Sequence, residues 1–190
     1  MTEKRTTMIV GLSNPGDKYE KTRHNIGFEA IFHISEKYPS GWYLCENAQV
    51  KAVTLLHDEI LLFVKPMTGM NVSGGPVSKL AERYGVKTED IIVFQDDIDL
   101  APGKIKVKSS GGSGGHNGLK SLDKSIGTDY VRVRIGVGRP TNNTSVIDYV
   151  LGDFTKEDVI WISDRLPKMS DNFQLLLDKK YENFMWICNQ

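Results

Sequence analysis

The sequence predicts a single α/β domain, residues 1–190, built on a mixed β-sheet. Three observations carry this expectation. Apolar or strictly alternating runs of strand length take turns with segments of helical period along most of the chain. No linker, repeat or low-complexity stretch interrupts them. The 190 residues, 39% hydrophobic and 25% charged, are ordinary for one globular core.

Taken in order, "TMIVGL" (7–12) is a short apolar run ending in the turn-rich "SNPGDKYEKTRHN", which reads as a buried strand followed by a loop. Gly27, Ala30, Ile31, Ile34 and Tyr38 recur at helical spacing and predict a helix over about 25–38. "AQVKAVTLL" and "ILLFVKP" flank "HDE" as an antiparallel pair. A second helix follows "MNVSGG", with Val77, Leu80, Ala81 and Tyr84 on one face. "DIIVFQ" is an apolar strand running into "DDIDLAPG". "KIKVK" alternates, gathering Lys104, Lys106 and Lys108 on one face. After the loop "GGSGGHNG" a short helix starts near Asn117, then comes the strand "YVRVRIGVG". Thr155 and Asp158 have capping-box spacing and open a mostly helical C-terminal part, expected to break near Pro167.

Cys45 and Cys188 lie far apart with no C-x-x-C, which suggests neither a disulfide framework nor a zinc site. No run approaches the ~18 apolar residues of a membrane span, and "MTEKRTTMIVGL" is too short and mixed for a signal peptide, so a cytoplasmic protein is expected. The net charge of zero is unevenly spread. Residues 104–139 hold eight basic and two acidic side chains, a net +6 that the rest of the chain cancels. Such polarity fits either an anionic partner at one place or a set of solvated faces.

The glycine loop fits no nucleotide cradle, because Asn117 stands where G-x-G-x-x-G needs glycine and no Gly-Lys-Ser/Thr follows for a Walker loop. Gly111 to Gly115 does match G-x-S-x-G around Ser113, but the one later histidine, His116, lies three residues away in the same loop. Asp96, Asp97 and Asp99 form a carboxylate cluster; Asp97 and Asp99 read as solvated turn residues, whereas Asp96 ends an apolar strand, where a site could form. Of the four histidines, His33 falls within a helix and His57 in a hairpin turn. His24 sits where a loop leaving a strand enters a helix, a position that concentrates function. Asn14 shares that loop, and Asn71 and Asn117 stand at the starts of two other helices. Each asparagine also suits a helix cap or turn, so spacing leaves both uses open.

"IVGLSNPGDKYEKTRHNIGF", "KPMTGMNVSGGPV", "QDDIDLAPGKIKVKSSGGSGGHNGLKS", "RVRIGVGRP" and "DYVLGDF" resemble, in this order, the signature segments of bacterial peptidyl-tRNA hydrolases. The match runs from about residue 8 to 154. The resemblance implies a twisted mixed sheet flanked by helices, a monomer without cofactor, and hydrolysis of the ester joining a peptide to the 3′ end of tRNA; the chain shows no convincing set of metal ligands, so no metal is expected. It places the catalytic histidine at His24, its carboxylate partner at Asp96, and substrate-binding positions at Asn14, Tyr19, Met70, Asn71, Gly115 and Asn117. Two departures are visible: Gly69 stands where an aromatic residue is frequent, and Ser113 where a histidine is common.

These residue types suit the reaction. A water deprotonated by His24 can attack the ester, Asp96 can orient the ring, and asparagine amides can hold water, carbonyl oxygen or peptide backbone without adding charge. Lys106, Lys108 and Arg134 of the basic segment are the expected tRNA-phosphate contacts. The alternatives are a non-catalytic RNA-binding protein on the same fold, which would carry a transit peptide, and a small-substrate esterase using Ser113.

Overall fold

The computed structural model describes residues 5–55 and 59–190; His57 lies outside them. Seven strands form one sheet: β1 (Thr6–Gly11), β2 (Tyr43–Cys45), β3 (Ala48–Thr54), β4 (Ile60–Pro66), β5 (Ile91–Asp97), β6 (Ile105–Ser109) and β7 (Val131–Gly136). Their spatial order is β2-β3-β4-β1-β5-β7-β6. The pairs β4–β1, β1–β5 and β5–β7 are parallel, while β2–β3, β3–β4 and β6–β7 are antiparallel. The apolar runs are therefore the parallel centre, buried on both faces, and the alternating lysine strand is an edge.

Helices cover both faces. Ile9, Phe63, Phe94 and Val133 pack towards α1 (Ile26–Ser35) and the C-terminal helices α5 (Lys156–Asp171), α6 (Phe173–Leu177) and α7 (Tyr181–Cys188). Their strand neighbours Met8, Val10 and Val93 point the other way, to α2 (Gly74–Tyr84) and α3 (Asn117–Ile126). A short helix α4 (Val146–Val150) precedes α5. Both cysteines are free, and burial pushes the Cys188 thiol up to about 12. Among the described residues no helix is long and apolar enough to cross a membrane.

Two sequence expectations need adjusting. The first helix ends at Ser35 rather than near 38. The C-terminal helix does not break at Pro167: α5 runs through it and ends at Asp171. The missing N–H is outweighed by tertiary anchors on the next turn, where Met169 is fully buried and Lys168 donates to the Gln190 carbonyl. The capping box at its start forms as expected, with Asp158 N–H on Thr155 Oγ1 and Thr155 N–H on Asp158 Oδ2.

Candidate active site

The loop after β1 is held at both ends. Asn25 and Asn14 bond reciprocally, Asn14 N–H to Asn25 Oδ1 at 2.8 Å and Asn25 Nδ2 to the Asn14 carbonyl at 3.0 Å. Arg23, buried, pairs with Asp158 at 2.8 Å, lies over the Tyr149 ring and donates its backbone N–H to the Gly152 carbonyl. The next residue is His24, so its backbone is fixed from the C-terminal part of the chain. Gly27 then lets α1 rest directly on the sheet. A Cβ there would stand 2.2 Å from the Phe94 carbonyl oxygen, an impossible contact. That close approach brings the turn before α1 to the end of β5, where Asp96 sits.

Asp96 is 2% exposed, and one of its oxygens serves two rings. His24 Nδ1 and His116 Nε2 each lie 2.8 Å from Oδ1. The tautomers follow from the other contacts of His116. Its Nδ1 accepts the backbone N–H groups of Gly118 and Leu119, capping α3, so that nitrogen is bare and Nε2 carries the hydrogen given to Asp96. The carboxylate, acceptor only, takes a second hydrogen from His24 Nδ1. This leaves His24 Nε2 bare, with no hydrogen-bond partner among the described residues, in a cleft. Burial alone would push the Asp96 carboxyl up, but His116 and His24 overcome it and hold the group well below the usual carboxylate range.

Sequence reasoning does not bring His116 into the site. The available signal is its place immediately before Asn117 at the start of a helix. The same geometry removes the esterase reading of Ser113: both nitrogens of His116 are engaged, so neither is left to activate that hydroxyl. It also bears on metal binding. His24, Asp96 and His116 present ligand-type atoms within 4.8 Å of one another. Yet Nε2 of His116 is protonated in the only tautomer its helix cap allows, and a protonated nitrogen is no ligand. The set is built for hydrogen bonds and does not fit an ion.

The cleft has a volume of about 1000 Å³ and is laid out in strand order. Gly69 to Val72 follow β4, Asn14 to His24 follow β1, Asp96 follows along β5, and Arg134 and Lys108 stand on β7 and β6. At about 4.8 Å per strand, the β4 end and the β6 end lie roughly 19 Å apart, with His24 and Asp96 between them. Tyr19, Met70 and Gly115 also line the cleft.

The asparagines resolve differently. Asn14 Oδ1 accepts the Met70 N–H at 2.9 Å, which orients the amide and leaves its Nδ2 hydrogens without a protein partner among the described residues. Asn71 and Asn117 are exposed, and neither caps a helix: α2 has no side-chain cap, and α3 is capped by His116.

The basic segment is less uniform than its count implied. Arg132 is buried, bound to Asp123 at 3.0 Å and to backbone carbonyls of Thr128 and Gly111. Arg134 pairs with Asp97 at 2.7 Å, and Arg139 with Asp99. Asp97 and Asp99 are therefore ion-pair partners rather than merely solvated turn residues. The free positive charge is carried by lysines. Lys106 and Lys108 are exposed on β6; Lys108 lines the cleft, Lys106 stands beside it, and Arg134 is partly exposed in the cleft wall.

The profile of the family described as "Peptidyl-tRNA hydrolase" matches residues 8–190. The chain belongs to the peptidyl-tRNA hydrolase family. A peptidyl-tRNA hydrolase of Rickettsia bellii (strain RML369-C) is 47% identical over 182 residues, covering 93% of this chain and 96% of the relative. One from Rickettsia felis is 44% identical over the same shares. The crystal structure of peptidyl-tRNA hydrolase from Acinetobacter baumannii superposes with a TM-score of 0.88 at 31% identity, covering 97% of this chain and 94% of the other. This family fold is the mixed seven-strand sheet between helices described above.

Proposed function

We propose that the chain hydrolyses the ester linking a peptide to the 3′ end of tRNA, with His24 as general base. The bare Nε2 of His24, opposite a nitrogen held by buried Asp96, is the observation that carries this reading. Water bound at Nε2 loses a proton as its oxygen attacks the ester carbonyl carbon. The carbonyl oxygen becomes an oxyanion, for which the oriented Nδ2 of Asn14 is the ready-made donor. When the carbon–oxygen bond to the ribose breaks, His24 returns the proton to the departing tRNA hydroxyl. Asp96 stays ionised throughout, stabilises the imidazolium and keeps the ring turned.

Asn71 and Asn117, neither used in capping, would hold the peptide backbone and the attacking water, with Tyr19, Met70 and Gly115 as walls. Lys106, Lys108 and Arg134 would take tRNA phosphates at the β6 end. The step is redox-neutral and transfers no group that needs a carrier, so it calls for no cofactor, and a monomer working in the cytoplasm suffices for it.

Replacing His24 by alanine tests this. Turnover of an N-acetylaminoacyl-tRNA is expected to fall by roughly 10²–10⁴, the contribution of a positioned base, while tRNA affinity stays near that of the parent. The ring is 12% exposed and supports a buried carboxylate, so a stability loss of about 1–3 kcal/mol accompanies the change and is checked by urea unfolding. A folded variant that turns over saturating substrate within tenfold of the parent refutes the assignment.

A further inference from the structure

Several glycines of the cleft are glycine for a visible reason. Gly114 and Gly115 have φ of 56° and 89°, and behind the wall a Cβ on buried Gly118 would stand 2.6 Å from Met70 Sδ. Gly69 has no such reason. Its φ of −58° and ψ of 154° suit any residue, and a Cβ there would meet nothing within 4 Å. Gly112 is also unconstrained, but it stands on the loop tied to Arg132, at the basic end. What the glycine at 69 provides is empty space in the cleft wall.

Three observations say what that space would hold. First, Gly69 directly precedes Met70, whose N–H is held by Asn14 Oδ1, so the recess adjoins the donor proposed for the oxyanion. Second, it lies after β4, on the side of His24 and Asp96 away from Lys108 and Arg134. With phosphates at the β6 end and the ester in the middle, the acyl half of the substrate falls at the β4 end. Third, apolar side chains stand exposed in the same cleft, Val72 at 56% and Ile147 at 63%. Exposed apolar groups lining a concave site mark a place for an apolar ligand.

We infer that Gly69 is a specificity-determining residue: its missing side chain opens a recess that admits a bulky apolar side chain on the amino acid esterified to tRNA. The inference rests on the hydrolase reading above and adds to it a preference for the acyl group.

The experiment compares the parent with Gly69→Ala and Gly69→Phe on N-acetylglycyl and N-acetylphenylalanyl esters carried by one and the same tRNA. Both variants should keep the parent's melting temperature, since the backbone conformation and the space accept a side chain. For Gly69→Phe, kcat/KM on the phenylalanyl ester is expected to fall about tenfold or more, within the range that steric fit in an apolar pocket commands. The glycyl ester should change by less than about twofold. Gly69→Ala should show the same selectivity more weakly, and decides the matter if the larger variant does not fold. An equal loss on both esters would assign the recess to the tRNA end and overturn the inference, as would no loss on either. A parent that cleaves neither ester would instead sink the hydrolase reading itself.

Discussion

Asparagine at position 116 separates two jobs that one imidazole performs. His116 caps α3 through Nδ1, at 3.1 Å from Gly118 N and 3.3 Å from Leu119 N, and donates from Nε2 to Asp96 at 2.8 Å. The oxygen of an asparagine side chain ends where the near ring nitrogen stands, so His116→Asn keeps an acceptor for the helix but leaves nothing reaching Asp96. His116→Ala loses both. A hydrogen bond to a charged group contributes about 1.5–3 kcal/mol, and Asp96 is too buried for water to replace it freely. A helix cap contributes about 1 kcal/mol. His116→Asn should therefore cost about 1.5–3 kcal/mol and His116→Ala about 1 kcal/mol more, both read from urea unfolding near neutral pH. Turnover should fall less than in His24→Ala, because His24 keeps its own bond to Asp96. With one donor gone, burial pushes the Asp96 carboxyl back up, since His116 is the larger of the two influences that hold it down. The stability gap between His116→Asn and the parent should then shrink as the pH falls below the usual carboxylate range, where the parent loses what its ionised Asp96 contributes. Equal stability of the two variants would refute the capping role, and a gap to the parent that stays constant in acid would refute the coupling through Asp96.

Gly27→Ala tests whether helix-to-sheet packing sets the catalytic distance. Relieving a Cβ only 2.2 Å from the Phe94 carbonyl means moving α1 by about 1 Å, which should cost roughly 10²-fold in kcat and about 1–3 kcal/mol in stability. Parent-like turnover would show that His24 is placed by other interactions. The basic segment should divide by burial. In Lys106→Glu with Lys108→Glu, tRNA binding weakens and the log–log salt slope flattens by about 0.9 for every duplex phosphate that is no longer neutralised. Arg132→Gln leaves the slope unchanged and instead destabilises the fold by about 3 kcal/mol, because it breaks a buried pair. A flattened slope in the Arg132 variant, measured by filter binding across salt, would contradict this division.

Local chemistry made much of this molecule legible in one dimension. Apolar runs predict the central strands, helical spacing from Gly27 to Tyr38 predicts α1 though not its end at Ser35, and Thr155 with Asp158 starts α5, because period and capping act over a few residues. The ordered motifs also pointed to His24, Asp96 and the three asparagines. Pairing over long distances was not legible. Asp96 meets a histidine 72 residues before it and another 20 residues after it on a single oxygen. Arg23 finds Asp158, and the arginines of the basic segment find Asp123, Asp97 and Asp99. Nothing in the spacing encodes those meetings. They arise because the sheet order sets β4, β1, β5 and β7 side by side, so loops far apart in sequence share one end of the sheet. Burial then decides what each side chain does there: it turns Arg132 from a surface charge into a strut, and makes His116 the cap of one helix and the partner of a buried carboxylate. Tertiary packing also carries α5 through Pro167, where the local rule alone predicts a break.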